Sequence, residues 1–175
     1  MKRILRDLPF YENSQFFYLD PPSKYVQIRH RQIPVRVSLG VYLPNEGGYS
    51  PAITSFPAIL DTGFNGSLAL SVFHLREWAG LGPTALGIEV KHISKQGPMT
   101  IQGFAMRAFD STFYIRPNRR GTWETDIGSP VEIAARILVV DAQPEKFRLP
   151  LLGMSALDQL GRHLSINYRR RLVQL

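Results

Sequence analysis

Hydrophobic and polar side chains alternate along much of this chain, and the pattern predicts β-strands. Between residues 25 and 44, apolar or β-branched side chains recur at every second position over several stretches. Pro34 interrupts the alternation, so we expect two strands with a break near the proline. Residues 55–60 form a short apolar run, typical of a buried strand that ends at Asp61. Similar patterns predict further strands over residues 68–72, 87–93, 99–109, 135–141 and 165–175.

Two short helices are expected within this strand-rich pattern. Ser71 is a candidate N-cap for the first helix, and Gly80 is a candidate stop signal. The second helix follows Gly153 and ends at Gly161. A chain that is mostly strand with two short helices favours an all-β fold, in the form of a closed barrel or a sandwich.

The length of 175 residues predicts one domain with a continuous core. Residues 1–24 mix aromatic, polar and Pro-Pro elements and predict an irregular N-terminal arm, so the folded domain is expected to comprise residues 25–175. The segments 87–93 and 99–109 flank a Gly-Pro turn and predict a hairpin. Residues 110–130 are less regular and are expected to include an exposed loop around residues 117–121.

The composition is that of a globular protein without disulfides, since 44% of the residues are hydrophobic, 20% are charged and none is cysteine. The lack of cysteine excludes a disulfide, a thiol nucleophile and a thiolate metal site. No apolar stretch is long enough to cross a membrane, and the basic N-terminus lacks the apolar segment of a signal peptide. We therefore expect a cytoplasmic protein that does not associate with membranes.

The net charge is +7, from 21 basic and 14 acidic residues, and the pI is near 10.0. A basic balance can attract nucleic acid or acidic polypeptides. The arginines are scattered, however, apart from residues 119–120 and 169–171, and no zinc-finger or RNA-binding motif is present. The pattern favours solvated surface charge, and a nucleic-acid-binding β-domain is the weakest of the functions considered.

One carboxylate, Asp61, stands where an apolar strand meets a turn, followed by Thr62 and Gly63. The strand carries the carboxylate into a low-dielectric place, while Gly63 allows a tight turn and the close approach of another segment. A single buried carboxylate takes up a proton and is a poor catalyst. Two facing carboxylates share one proton, so that one acts as base and the other as acid on a water between them. The alternative is an ordinary Asp-Thr-Gly turn after a strand, in which Asp61 is solvated or caps its own backbone.

The segment ILDTGFNGSLAL, residues 59–70, resembles the active-site segment of retropepsin-like aspartic proteases. Residues 148–175 resemble the C-terminal part of the same family, in which an apolar-apolar-Gly strand crosses near the active loop and a short helix and a final strand follow. The resemblance extends over residues 35–175, although only the two end motifs are specific. It implies a retropepsin-like closed barrel whose active site lies at the twofold interface of a homodimer, because members with one motif contribute one aspartate per chain.

The resemblance also implies a function and a role for each motif residue. The function is that of an aspartic endopeptidase that cleaves an extended polypeptide without a metal or other cofactor. Asp61 corresponds to the catalytic aspartate, and the hydroxyl of Thr62 bonds into the facing loop of the partner subunit. Gly63 keeps the approach open, and Leu152 and Gly153 pack beside the active loop.

A substrate-covering flap is implied between the two motifs. The position in the chain favours the segment formed by Ser94, Lys95, Gln96, Gly97 and Pro98. A plain hairpin turn is the alternative for this segment, and residues 103–107 are a competing flap candidate. In the family, chain ends form the intersubunit sheet, a part that residues 169–175 would play here.

Several features depart from the family pattern or leave the function open. Phe64 stands where many members have a small residue, and its ring is expected either to narrow the cleft or to pack beside the active loop. Asn167 replaces a carboxylate expected in many bacterial members. Asp126 begins an Asp-Ile-Gly sequence, but no buried apolar strand precedes it, so we expect a loop there. His74 has no evident partner, and the four histidines have no metal-ligand spacing. A retropepsin-like module that dimerises and binds a peptide without cleaving it is the alternative function.

Overall fold

The computed structural model describes residues 5–6, 8–9, 15–19, 24–29, 32–40, 54–82, 85–90, 100–101, 103–119, 128–160, 164–167, 169 and 172–174. The elements, in chain order, are β1 (Leu5–Arg6), β2 (Leu8–Pro9), β3 (Gln15–Leu19), β4 (Lys24–Ile28), β5 (Pro34–Leu39), β6 (Ser55–Leu60), β7 (Leu68–Ser71), α1 (Val72–Glu77), β8 (Ile88–Glu89), β9 (Thr100–Ile101), β10 (Phe104–Ile115), β11 (Asn118–Arg119), β12 (Val131–Val140), β13 (Leu151–Leu152), α2 (Met154–Gln159), β14 (Ser165–Asn167) and β15 (Leu172–Gln174). The expected all-β chain with two short helices is confirmed in these residues.

The main sheet closes on itself. Its strands follow the order β12-β7-β13-β6-β5-β10, and a further pairing between β10 and β12 completes the ring. The closing ladder is long and antiparallel, running from Met106 opposite Val140 to Ile115 opposite Val131. Because a closed ring leaves no open edge among these six strands, their backbone groups are paired within the sheet.

Strand β13 lies between β6 and β7, although it comes much later in the chain. It runs parallel to β6, with Leu152 opposite Leu60, and antiparallel to β7, with Leu152 opposite Leu68. The loop from β6 to β7 therefore spans the end of a third strand. This arrangement brings the two motifs of the chain, at Asp61 and Gly153, into one place.

Strands β5 and β6 are buried at every residue, which explains the apolar run before Asp61. The largest fully buried side chains include Phe56, Phe113 and Leu70, and they belong to one continuous cluster. Each such side chain contributes roughly 1.5–3 kcal/mol of stability relative to exposure. A smaller cluster is formed by Ala69 of β7, Phe147 and buried residues of β10 and β12 such as Leu138. The β6–β7 loop is thus attached to strands that are held firmly by the core.

Both helices begin where the sequence predicts. Ser71 caps α1 by accepting a hydrogen bond from the backbone N–H of His74, with an N to Oγ distance of 3.2 Å. Gly80, beyond the end of this helix, has a φ of 68°, a conformation that glycine adopts without strain. The second helix starts directly after Gly153, as expected. Gly161 lies outside the described residues.

The structure differs from the sequence-based expectation between residues 110 and 130. Strand β10 continues to Ile115, because its ten-residue ladder with β12 pairs the backbone of the polar residues as well. One of these polar residues, Asp110, forms an ion pair with Arg136 across the ladder at 3.1 Å. The expected irregular segment is therefore wrong for residues 110–115. The exposed loop expected around residues 117–121 is wrong in its described part, because Pro117 is buried and Asn118–Arg119 form β11. Residues 120–127, including Asp126, lie outside the described residues.

The predicted hairpin is more complex than the alternation indicates. Strand β8 pairs with β10, as expected, with Glu89 opposite Phe109. A second, tighter hairpin joins β9 to the start of β10, and Gly103 occupies its turn with a φ of 82°. This φ value favours glycine, which explains the residue found there. Residues 91–99 lie outside the described residues.

The N-terminal segment, expected to be irregular, contains three short strands. Strand β3 pairs with β4 across the expected boundary at residue 24. Strand β2 pairs with β15, so that β15 lies between β14 and β2. The expected break near Pro34 is confirmed, since β4 ends at Ile28 and the proline is the first residue of β5, a position where its missing N–H is tolerated. The division into an arm and a domain at residue 24 stays a prediction.

Candidate active site

Asp61 is the first residue after β6, and its backbone is fixed by the strand beside it. The N–H of Asp61 donates to the carbonyl oxygen of Leu152 at 2.9 Å. Within the loop, the N–H of Gly63 donates to Oδ1 of Asp61 at 2.9 Å, and the N–H of Phe64 donates to the Asp61 carbonyl at 3.2 Å. The carboxylate is half-buried, whereas Thr62 and Gly63 are exposed. One carboxylate oxygen is thus held in place at an accessible turn.

The rest of the loop is held by the segment that follows β13. The N–H of Gly153 donates to the carbonyl of Ser67 at 2.9 Å, and the N–H of Met154 donates to the carbonyl of Phe64 at 2.8 Å. Ser155 donates twice, through its N–H to the Gly66 carbonyl at 3.3 Å and through its hydroxyl to the Asn65 carbonyl. The N-terminal N–H groups of a helix have no partner inside the helix. Here the loop carbonyls supply acceptors for two N–H groups of α2, which has no side-chain cap.

Gly153 is required for this contact because of space. Its φ of −110° is ordinary for any residue. A Cβ atom at this position would overlap the carbonyl oxygens of Phe64 and Gly66 and the ring of Phe64. Gly63 has a weaker requirement, since a Cβ there would lie 3.3 Å from Oδ1 of Asp61. Both glycines therefore allow close approach, one beside the carboxylate and one under the loop.

Phe64 packs beside the active loop, which is one of the two roles expected for its ring from the sequence. Its ring lies over Gly66 and Gly153, where an added Cβ would meet ring atoms. The half-buried ring also packs against the smaller apolar cluster, which includes Ala69 and Phe147. The sequence signal for this packing is a large aromatic residue, Phe64, together with two glycines that leave room for its ring. Gly66 lies two positions later, and Gly153 follows β13. A larger residue at either glycine would displace the ring.

His74 has partners, so the expectation that it stands alone is wrong. Its Nε2 lies 3.0 Å from the carbonyl oxygen of Arg148, and its Nδ1 lies 3.2 Å from the backbone nitrogen of Ser71. A carbonyl can only accept and an N–H can only donate, so Nε2 carries the proton and Nδ1 is unprotonated. The ring packs against Trp78 with centroids 4.3 Å apart and ring planes tilted by 52°. Ser71 and Trp78, at the two ends of α1, are neighbours of His74 in sequence, whereas the Arg148 carbonyl is distant in sequence and no spacing rule detects it.

Burial lowers the pKa of His74 from 6.5 to about 4, while the hydrogen bond to Arg148 acts in the opposite direction. The side chain is fully buried. It joins the start of α1 to the segment that leads into β13. His74 is therefore a neutral bridge between two elements that support the loop around Asp61.

The flap candidates and Asn167, which the sequence also singled out, belong to segments other than the loop around Asp61. Ser94, Lys95, Gln96, Gly97 and Pro98 lie outside the described residues. The competing flap candidate, residues 103–107, forms the β9–β10 turn and the start of β10. Asn167 is exposed in β14. In the described part of the chain, no group of three or more His, Asp or Glu side chains could hold a metal, and no helix has the length and apolar character needed to span a bilayer.

No protein-family model matches the chain, and no curated protein matches it significantly. The resemblance to retropepsin-like proteases therefore stays a prediction that depends on the residues of this chain.

Proposed function

We propose that this protein is a retropepsin-like aspartic endopeptidase that acts as a homodimer. Two copies of Asp61, one from each subunit, hold a water molecule and hydrolyse a peptide bond of an extended polypeptide. The observation that carries the proposal is the position of Asp61 at an accessible turn, where Leu152 of β13 accepts its N–H and Gly153 holds the rest of the loop. The exposed Thr62 and Gly63 form the face that meets the second subunit.

The loop geometry supports a carboxylate with a defined orientation. The N–H of Gly63 holds Oδ1, and the N–H of Asp61 is occupied by Leu152. A carboxylate fixed by backbone N–H groups loses less freedom when it binds water and substrate, and this favours catalysis by positioning. The exposed hydroxyl of Thr62 is available to the facing loop, as the resemblance implies.

The reaction needs both carboxylates because one proton must be accepted and another donated. The ionised Asp61 takes a proton from the water molecule, and the water oxygen attacks the peptide carbonyl carbon. The protonated Asp61 of the other subunit gives its proton to the carbonyl oxygen, which forms a neutral tetrahedral intermediate. Collapse of this intermediate transfers a proton to the leaving nitrogen and restores the shared proton.

The test is cleavage of a denatured protein and of a peptide library by purified protein. We expect Asp61→Asn to abolish cleavage, because the amide cannot accept a proton from water. Asp158→Asn is the matched control, since this exposed carboxylate lies on α2 and outside the loop. Equal cleavage by wild type and Asp61→Asn would overturn the proposal. Binding of peptides without any cleavage would identify a peptide-binding module instead.

A further inference from the structure

A cleft of about 280 Å³ lies beside the strand that carries Asp61. Its walls include Ile59 and Leu151, which are Cα partners on β6 and β13. These residues lie two positions before Asp61 and Gly153, which corresponds to about 7 Å along each strand. A polypeptide bound at Asp61 can therefore place a neighbouring side chain in this cleft.

The polar lining of the cleft has an excess of positive charge. Arg29, Lys146 and Arg148 contribute three cations, and Glu145 contributes one carboxylate. Among the described residues, neither guanidinium has a carboxylate within ion-pair distance. Burial, and then the charge of Arg29, lowers the pKa of Arg148 below its ordinary value. The two guanidinium groups thus lie close enough to repel each other, and a bound anion would relieve that repulsion.

Hydrogen bonds hold the backbone of Arg29 and the guanidinium of Arg148 in position before any ligand arrives. The backbone N–H of Arg29 donates to Oε1 of Gln32 at 2.8 Å, and the N–H of Gln32 donates to the Arg29 carbonyl at 3.2 Å. Nη2 of Arg148 donates to the carbonyl of Gln27 at 2.6 Å. A guanidinium carries five N–H donors in a planar fork that matches a carboxylate, so further donors remain on Arg148.

We propose that this cleft binds a glutamate or aspartate side chain of the polypeptide substrate and so selects acidic segments for cleavage. The inference rests on the proposed endopeptidase function. The volume of about 280 Å³ is slightly below that of sites for drug-sized ligands, which occupy roughly 300–1,000 Å³. The cleft therefore has room for a smaller group such as a single side chain. The net charge of +7 also attracts acidic polypeptides towards the protein.

The first experiment measures binding without cleavage. The Asp61→Asn protein is titrated against labelled short peptides, and binding is measured by fluorescence anisotropy. The peptides form pairs that differ only in having Glu or Gln at one position, and this position is moved along the peptide from pair to pair. At one position, the Glu peptide should bind about tenfold more tightly at low salt, because Arg–carboxylate hydrogen bonds are charge-assisted. The preference should weaken as salt increases, since the cleft opens to solvent.

Variants locate the preference in the cleft. Arg29→Gln should remove most of the Glu preference, while Arg29→Lys should keep part of it. Arg76→Gln, which makes the same charge change on exposed α1, should leave it unchanged. Glu145→Gln should increase it, because the substitution removes the negative charge from the lining. An unchanged preference in Arg29→Gln would overturn the proposal.

The outcomes separate this inference from the proposed function. If the wild type cleaves Glu and Gln peptides with equal kcat/KM at every position, the acidic selectivity is wrong and the endopeptidase stands. If no peptide is cleaved but the Arg29-dependent preference persists in binding, the endopeptidase is wrong and the acidic cleft stands. If inorganic phosphate binds in an Arg29-dependent manner while peptides show no Glu preference, the cleft is a phosphate site and the proposal is overturned.

Discussion

At the scale of single residues, the neighbourhood of Asp61 depends on groups that do not react. Phe64 and Gly153 determine how closely the loop packs on β13, and His74 joins α1 to the segment before β13. The histidine replaces the Glu or Gln that usually completes a capping box. Unlike those residues, it can acquire a positive charge in mild acid. The support of the loop is therefore sensitive to pH.

We predict that His74 destabilises the protein in acid. Its pKa is about 4 in the folded protein and 6.5 in the unfolded chain, so the unfolded chain binds the additional proton between these values. The contribution of the neutral His74 to the free energy of unfolding is therefore fully present above pH 6.5. It decreases as the pH falls towards 4, by up to roughly 3 kcal/mol.

The measurement compares urea unfolding at pH 7 and pH 4.5 for the wild type and His74→Gln. Glutamine can complete the capping box but does not titrate in this range. We expect the variant to have a lower free energy of unfolding at pH 7, because it loses the contact with Trp78, but a smaller decrease in acid. An equal decrease in both proteins would contradict the role of His74.

At the scale of elements, the decisive feature is the junction of β13 and α2. The strand enters between β6 and β7, and the first N–H groups of the helix bond the carbonyls of the β6–β7 loop. Strand β13 and helix α2, which come late in the chain, thus hold the much earlier β6–β7 loop in place. Gly153, at the junction, is the residue whose size controls the distance between them.

We predict that Gly153→Ala destabilises the protein strongly. The added methyl group meets backbone oxygens of the loop, which cannot rotate away as a side chain does. The cost should reach the upper part of the usual range for overpacking, roughly 3 kcal/mol, and should be accompanied by loss of cleavage. Met154→Ala is the control, because this exposed side chain should change stability by no more than about 0.5 kcal/mol. Chemical denaturation measures both variants, and a neutral Gly153→Ala would show that the loop is not packed as described.

At the scale of the whole molecule, each chain contributes one Asp61, and the proposed mechanism needs two. The strands β14, β15 and β2 form a sheet in which β15 is central, so its two edges are already paired within the chain. An intersubunit sheet built from the chain ends would therefore extend from β14 or β2. In the proposed dimer, we expect the two exposed turns at residues 62–63 to lie opposite each other.

We predict that the Asp61→Asn protein inhibits the wild type by forming mixed dimers. The variant is mixed with wild type in about ninefold excess, and subunits are allowed to exchange freely. Roughly one wild-type chain in ten then pairs with a second wild-type chain, so activity per wild-type chain should fall about tenfold. The same excess of Asp158→Asn should increase total cleavage instead. Unchanged wild-type activity after prolonged mixing, together with a monomeric mass in sedimentation, would contradict the dimeric mechanism.

Much of the fold and part of the site follow from local patterns in the sequence. The apolar run of residues 55–60 predicts the buried strand that ends at Asp61, and Ser71 and Gly153 predict the starts of the two helices. These features depend on neighbouring residues, so alternation and capping rules reveal them. The extension of β10 to Ile115 could not be predicted in this way, because its polar residues are held by pairing with β12.

The sequence by itself determined the strand-rich class, the helix starts and the candidate carboxylate, because side-chain pattern and backbone preference act over a few residues. Only the tertiary structure decided that β13 enters between β6 and β7 and that Phe64 covers Gly153. It also decided that His74 bonds the Arg148 carbonyl and that Arg29 and Arg148 share a cleft. These contacts join residues distant along the chain, and their energies depend on burial and close packing, which arise only when the sheet closes.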